Sequence, residues 1–380
     1  LPNASILYVV TEDWYFWKHR VPLARAARDA GYRVSVAACA GEYAQRIRDE
    51  GFTFHPLGMN RRSTGPIQQL AAIRELAALY RWTRPDIVHH VALKPILLGC
   101  VAARLAHVSH VVNAVTGLGY VFVREGLRRA ILRTVISQWL RLALTRPETR
   151  IIFQNPDDLE LFTSCGIAPC ESCTLILGSG VDTTLFHPCP EPEGPPVILF
   201  AARMIWDKGA AVLVEAARLM RQRNVKFRIV LAGVPDSHNP QAIPEETLAA
   251  WSREPGVEWI GYCNDMPGLL ARSHIVCLPT HYREGIPLAL IEAAAAGKPI
   301  VTTNTPGCRE IVRHERNGLL VPERDPERLA EALTTLVTSA ETRKVMGTAS
   351  RALALNGFSI DSVASRTLDL YASMLETDHE

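Results

Sequence analysis

A chain of 380 residues is too long for one ordinary hydrophobic core, so two domains are expected. Its net charge of +2 excludes the strong basic excess of a dedicated nucleic-acid binder, and its 48% hydrophobic share fits a well-packed globular protein. The nine cysteines, odd in number and scattered, point to reduced thiols and away from a disulfide framework.

No apolar run reaches the roughly 18–20 residues of a membrane span, and no secretory leader is legible. A cytoplasmic protein is the expectation, with the opening at Leu1 leaving any earlier segment open. Cys165, Cys170 and Cys173 lie close together, but a zinc site would need a fourth ligand and none is near. No metal is expected.

In chain order, Ile6 to Val10 reads as a buried strand, followed by an aromatic loop, Thr11 to His19. A helix over Val21–Ala30 ends at Gly31. Strands follow at Val34–Ala38, Phe52–Leu57, Asp86–His90, His110–Val115 and Ile151–Gln154, with helices near Ile67–Trp82 and Pro95–Ala106 between them. Strands alternating with helices imply a parallel sheet covered on both faces. Ligands bind beyond the carboxyl ends of such strands, where the loops after Val10, His90 and Val115 lie.

Arg124 to Arg146 reads as a basic amphipathic helix, with Arg124, Arg128, Arg129, Arg133, Arg141 and Arg146 among Leu, Ile, Val and Trp139. Such a helix can lie on an anionic membrane surface. Residues 187–196, HPCPEPEGPP, are the best linker candidate. The expected organisation is a Rossmann-like domain over 1–186, this linker, a second Rossmann-like domain over 197–357, and a final helix within 358–380 packing back on the first domain.

After the linker the alternation restarts. Strands are expected at Val197–Ala202, Arg228–Ala232, Val257–Ile260, Ile275–Leu278, Pro299–Thr302 and Leu319–Val321, with helices from Gly209, near Pro244–Arg253 and Met266–Ala271, and at Pro326–Thr338 and Ala340–Leu355. The richest stretch is Ile275 to Gly297. A buried strand ends at Pro279, a polar turn follows, and a helix begins with Pro287 in its first turn and exits at Gly297. A helix N-terminus favours a phosphate, and Gly285 lets backbone approach a ligand. Eight residues of helix between Glu284 and Glu292 would hold the two carboxylates roughly 12 Å apart. That span suits the two ends of one elongated, hydroxyl-rich ligand with phosphates between them, as in a nucleotide-sugar.

Arg203 ends the strand from Val197, and Lys208 follows at a helix start. With the amides of Gly285 and Ile286 they would converge at one sheet edge, able to take up the charge of a diphosphate leaving group. No Asp-x-Asp occurs in the chain, so these cations would do the work of a metal pair. Either cation alone would be an ordinary solvated surface residue.

ARMIWDKG followed by EGIPLALIE resembles the paired signature of glycosyltransferase family 4, retaining enzymes of GT-B fold. The likeness extends over VPLARAARDAGYRVSV, PDIVHHVALKP, GSGVDTTLF, VEWIGYCNDMPGLLARSHIVCLPT and GLLVPERDPERLAEAL. Within the family the chain is similar to bacterial transferases that extend sugars on undecaprenyl diphosphate, including the N-acetylgalactosaminyltransferase group; VTGLGY and GSGVD are features of that group.

The resemblance implies an α/β architecture of two doubly wound domains facing across a cleft, a UDP-sugar donor and no cofactor. Arg203 and Lys208 would bind the donor diphosphate and stabilise it as it leaves. Glu284 would face the donor sugar, Glu292 the ribose hydroxyls, and the Gly285–Ile286–Pro287 backbone the distal phosphate. Gly261, Tyr262 and Asn264 would lie against the base. On the acceptor side, His19, Arg20, His89, Thr116 and Gly117 are the candidates. Two departures stand out: Glu12, Asp13 and Trp14 replace a glycine pair common in relatives, and Thr116 stands where many carry histidine.

The implied partners are a nucleotide-sugar, a lipid-linked acceptor and, through the 124–146 helix, an anionic membrane. Nucleic acid is not among them. The implied setting is the inner membrane face, in polysaccharide assembly. The same chemistry on a soluble acceptor, a UDP-GlcNAc epimerase of similar fold, and a non-catalytic nucleotide-sugar sensor are the alternatives.

Overall fold

The computed structural model describes every residue except 1–2, 61–64, 118–126, 147, 237–238, 283–284 and 377–380, together with the side chains of 127–133. The chain forms two compact units. Unit 1 holds Leu1–Gly180 and Ile360–Glu380, and unit 2 holds Val181–Ser359.

Unit 1 runs β1 (Ser5–Glu12), α1 (Asp13–His19), α2 (Val21–Asp29), β2 (Arg33–Cys39), α3 (Ala44–Asp49), β3 (Thr53–Pro56), α4 (Pro66–Thr83), β4 (Ile87–Val91) and α5 (Leu93–Ala106). It continues through β5 (His110–Val115), α6 (Leu127–Leu144), β6 (Thr149–Phe153), α7 (Pro156–Ser164) and β7 (Cys173–Leu175). The sheet is parallel throughout, in the order β3-β2-β1-β4-β5-β6-β7.

Alternation along β1 divides the core in two. Leu7 and Val9 face a cluster built with α4 and α5, including Leu76, Tyr80 and Ile96. Ile6, Tyr8 and Val10 face Phe16, Leu23 and, from the final helix, Val363 and Tyr371. Both faces are covered, which is why the strands read as continuous apolar runs.

The register places Tyr8 beside His89 and Val9 beside His90, so these neighbouring histidines enter opposite cores. His90 is bonded to Tyr80 Oη at 2.9 Å and Asn113 Oδ1 at 2.9 Å. Burial is the main cause that pushes its pKa down to about 4, so it sits neutral in the core.

Within unit 1, two stretches differ from expectation. The aromatic residues before His19 form a helix, not a loop. Asp13 explains the start: its carboxylate accepts the amides of Trp14, Gly41 and Tyr43 and ties the helix to the chain after β2. Phe16 then buries against Tyr8 and Phe52. The second is α7, which no expectation covered. Asn155 caps it by accepting the Asp158 amide at 2.8 Å, and the Asn-Pro-Asp-Asp run was its legible signal.

Unit 2 runs β8 (Val197–Ala201), α8 (Ala210–Gln222), β9 (Arg228–Ala232), α9 (Glu245–Trp251), β10 (Val257–Gly261), α10 (Met266–Ala271) and β11 (Ile275–Leu278). It closes with α11 (Leu288–Ala295), β12 (Ile300–Thr303), β13 (Gly318–Val321), α12 (Pro326–Thr338) and α13 (Ala340–Gly357). The parallel order is β10-β9-β8-β11-β12-β13. The strand order reverses between β8 and β11, the switch point where such sheets open a crevice for ligands.

The final helix, α14 (Ile360–Glu376), belongs to unit 1 and packs on α2. The proline-rich stretch 187–196 is not a free linker. It lies inside unit 2, where Glu191 pairs with Arg343 at 2.7 Å and the Pro192 carbonyl is bonded to His274. Its prolines lack amides for a sheet, so side chains from unit 2 tie it down instead.

Candidate active site

At the unit 2 switch point, the loops leaving β8 and β11 are bonded to each other. The Asp207 carbonyl accepts from Thr280 Oγ1 at 3.1 Å and from the His281 amide at 3.0 Å. Thr280 Oγ1 in turn accepts the Tyr282 amide at 3.1 Å, and Thr303 Oγ1 donates to the Thr280 carbonyl. Gly209 closes the short turn Trp206–Lys208 at φ +84°, against the Pro279 carbonyl. These bonds fix Asp207, Lys208 and Tyr282 as one rigid rim.

Lys208 is buried, with its Nζ 5.7 Å from the centre of the Tyr282 ring. Arg203 is half-buried, and its Nη1 pairs with Asp236 Oδ2 at 2.6 Å. Asp236 follows β9, so three neighbouring strands contribute to this edge. His281 Nε2 lies 3.3 Å from Asp207 Oδ1. Burial and then the Arg324 charge hold His281 below the usual imidazole range, so this contact is a hydrogen bond of a neutral ring.

The helix after β11 begins one residue later than expected. Pro287 is the capping residue and Leu288 the first helical one. Proline fits here because the capping amide has no acceptor within the helix. Eight residues of helix therefore do not separate the two glutamates; Glu292 sits in α11, half-buried, and the residues before Leu288 are not helical. Glu284 lies outside the described residues.

Gly285 and Ile286 are buried directly ahead of the helix start. At the far end Gly297, at φ +67°, ends α11 with its amide on Ala294 O, while the Lys298 amide reaches Ala293 O, a Schellman motif. Gly261 ends β10 at φ +67°, and Tyr262 and Asn264 beyond it are exposed. The Gly261 carbonyl accepts the Gly233 amide at 2.7 Å, joining this loop to the end of β9.

Arg203, Lys208, the Gly285–Pro287 segment and the loop after Gly261 thus leave the carboxyl ends of neighbouring strands of one sheet. Asp236, Thr280 and Tyr282 were not singled out from sequence. No motif spacing marks them; the one available signal was that each follows the carboxyl end of a strand.

In unit 1, Thr116 and Gly117 follow β5, half-buried, and Leu118 and Gly119 of the same turn lie outside the described residues. His19 ends α1 with its ring 4.5 Å from that of Tyr15. Arg20 and His89 are buried within the unit, His89 inside β4 as the strand expected at Asp86–His90 implied.

The 124–146 helix is observed over Leu127–Leu144. Arg141 is exposed, and its Nε and Nη2 bond the Gly166 and Cys165 carbonyls, each at 2.7 Å. Arg146 pairs with Glu148 at 3.4 Å. Arg124 and the side chains of Arg128, Arg129 and Arg133 lie outside the described residues. Val135, Trp139 and Leu142 are exposed on this helix. Among the described residues, no helix is long and apolar enough to cross a membrane.

The fold is shared with solved structures, among them a glycosyltransferase from Rickettsia africae, with a TM-score of 0.78 at 19% identity over 99% of each chain. Anabaena HepE, in complex with UDP and glucose, matches with a TM-score of 0.76 at 18% identity, over 97% of this chain and 99% of that one. Sucrose-phosphate synthase from Thermosynechococcus elongatus matches with a TM-score of 0.80 at 17% identity, over 98% and 100%. Two parallel Rossmann-like units of this topology give the chain the GT-B fold.

The sequence relationships narrow the class. Residues 182–353 match the family described as Glycosyl transferases group 1, and residues 5–155 match Glycosyl transferase 4-like. The chain thus carries a group 1 glycosyl transferase domain behind a glycosyl transferase 4-like one. It is 27% identical, over 94% of its length and 95% of the relative's, to the N,N'-diacetylbacillosaminyl-diphospho-undecaprenol alpha-1,3-N-acetylgalactosaminyltransferase of Campylobacter jejuni. It is 26% identical to the UDP-Gal:alpha-D-GlcNAc-diphosphoundecaprenol alpha-1,3-galactosyltransferase of Escherichia coli, over 83% and 82% of the two chains.

Proposed function

We propose that this glycosyltransferase moves a hexose or N-acetylhexosamine from a UDP-sugar to a lipid-diphosphate-linked sugar, with retention and without a metal, at the inner face of the cell membrane. The observation that carries the reading is that the buried Lys208 and the Asp236-held Arg203 both lie on the segment leaving β8 at the switch point of unit 2. A cation in a low-dielectric rim interacts strongly with charge that develops on a departing diphosphate. The named substrates of the Campylobacter and Escherichia relatives support a diphosphate-linked acceptor.

In this mechanism the bond from the sugar C1 to the diphosphate oxygen breaks toward Lys208 and Arg203. The amides ahead of α11 hold the distal phosphate, Glu292 the ribose, and Glu284 the sugar hydroxyls. The acceptor hydroxyl attacks C1 from the face the diphosphate leaves, and its proton passes to the departing phosphate oxygen. Orientation and charge stabilisation supply the rate.

The test offers the purified protein radiolabelled UDP-, GDP- and ADP-sugars with an undecaprenyl-diphosphate sugar or a soluble glycan, with and without EDTA. Label entering the lipid product from a UDP-sugar alone, undiminished by EDTA and with the donor's anomeric configuration by NMR, is the expected result. Transfer to the soluble glycan only, epimerised donor with no acceptor present, or loss of turnover in EDTA would each remove one part of the reading.

Membrane contact through α6 rests on Val135, Trp139 and Leu142, apolar side chains left in solvent. Trp139→Ala combined with Leu142→Ser is expected to cut co-sedimentation with anionic phospholipid vesicles several-fold while leaving transfer to a short-chain acceptor intact. Equal sedimentation of variant and wild type would remove α6 from the contact.

A further inference from the structure

The helices covering one face of the unit 1 sheet differ from the rest of the chain in charge. α4 packs on α5 and α5 on α6, and the three share one apolar cluster through Leu76 and Tyr80, Ile96 and Leu98, and Leu140 and Leu144. Together they carry eight lysines and arginines against one acid, Glu75, in a chain whose net charge is only +2. The rest of the chain is therefore net acidic, and the cationic excess belongs to this layer. Glu75 does not offset it freely, because its carboxylate accepts the Gly58 amide at 2.9 Å.

The same layer leaves large apolar side chains in water. Ile67 (82% exposed), Leu70 and Trp82 (75% exposed) on α4, Leu105 on α5, and Val135, Trp139 and Leu142 on α6 make up half of the exposed large apolar residues among the described ones, so they mark one face and not a general scatter. On α4 they form a stripe: Ile67, Leu70, Arg74, Ala78, Arg81 and Trp82 recur at helical spacing, and all are exposed. The opposite side of α4 already buries Ile73, Leu76, Ala77 and Tyr80. The outer face is also braced. Arg81 Nη2 donates to the Leu105 carbonyl at 2.8 Å and Arg104 Nη2 to the Leu142 carbonyl, tying the ends of α4, α5 and α6 together. His55 meets the Trp82 ring edge-on at 5.5 Å, so the indole is held while it stays in solvent.

We infer that the whole α4–α5–α6 face, with Ile67 and Trp82 as anchors, docks unit 1 flat on an anionic lipid bilayer. The inference rests on the membrane contact proposed for α6 and extends it across two further helices. Arginine stems lie along apolar surface while their guanidinium groups reach lipid phosphates, and tryptophan settles at the headgroup level. A stripe that mixes cations with apolar residues fits that boundary. A second copy of the chain fits worse, because an isologous contact would set one cationic face against another. Docked this way, the sheet lies one helical layer, about 10 Å, above the lipid surface. The loops after β4 and β5 then open along the membrane, on the side from which a diphosphate-linked headgroup arrives.

The experiment uses the full chain and co-sedimentation with phosphatidylcholine vesicles, with and without an equal share of phosphatidylglycerol. Wild type is expected to partition at least tenfold more strongly onto the anionic vesicles. Ile67→Ser combined with Trp82→Ser is expected to cut that partition at least fivefold, and Arg74→Gln to cut it two- to fivefold. Thermal unfolding and transfer to a short-chain acceptor should be unchanged in these variants, since the side chains replaced are exposed. Brominated phosphatidylglycerol should quench the fluorescence of wild type more than that of Trp82→Phe.

Partition that falls with Trp139→Ala and Leu142→Ser but not with the α4 pair confines the contact to α6; it overturns the inference and leaves the earlier reading standing. Partition as strong onto neutral vesicles overturns it as well. No partition onto anionic vesicles removes the α6 contact with it, whereas the transfer reaction is judged separately by the radiolabelled assay. Self-association in sedimentation velocity that the α4 pair abolishes, without vesicle binding, overturns the inference by assigning the face to a second copy.

Discussion

Replacing Lys208 by methionine is expected to lower kcat/KM for sugar transfer about 10²–10³-fold, the usual loss when one group stabilising a developing anion is removed. Methionine keeps the apolar stem that fills the buried rim beside Tyr282, so the change isolates the charge. The radiolabelled transfer assay measures it, with thermal unfolding as the control for structure. Activity within tenfold of wild type in a folded variant would take Lys208 out of the leaving-group role. Arg203 should be less sensitive, because Asp236 already neutralises part of its charge at 2.6 Å and one side of it faces water.

Gly209→Ala is expected to destabilise unit 2 by about 3–5 kcal/mol, combining left-handed backbone strain with overpacking. Gly209 sits at φ +84°, and a Cβ there would fall 2.0 Å from the Pro279 carbonyl oxygen. Neither side can retreat. The turn is bonded to Thr280 and His281 through the Asp207 carbonyl, and Pro279 follows a strand whose four residues are all buried. Urea unfolding followed by Trp206, Trp251 and Trp259 fluorescence measures the loss, since all three tryptophans lie in unit 2. An unchanged midpoint would mean that the two loops can separate without cost. Because the same contact holds Lys208 beside Tyr282, transfer activity should fall with stability.

The elements that were legible share a physical cause. The strand Ile275–Leu278, and Arg228–Ala232 beyond its exposed first residue, are buried on both faces, so they read as apolar runs that end where turn residues begin. Helices Met266–Ala271 and Pro326–Thr338 carry their own start signals: Asp265 and Asp325 accept the amides of Gly268 and Arg328 at 2.8 and 2.9 Å. The helix α1 was illegible because its aromatic run has weak helix preference, and what orders it is Asp13 reaching the distant amides of Gly41 and Tyr43. The 187–196 stretch misled for a related reason. Its composition is that of a loop, and its attachment to unit 2 runs through Arg343, far along the chain.

Sequence alone determined the alternation of strands and helices, the family and the candidate residues Arg203, Lys208 and Glu292, because each is written in local order: an apolar run, a cap, a short motif. Only the tertiary structure decided which residues act on those candidates. Asp236 restrains Arg203, Tyr282 lies beside Lys208, and His89 is enclosed with a pair of tyrosines, one from the first strand and one from the last helix. Such pairings depend on strand order and on side chains meeting across long stretches of chain. A pattern read over a few neighbouring residues contains no information about that order, and the electrostatic partners of a buried charge follow from it.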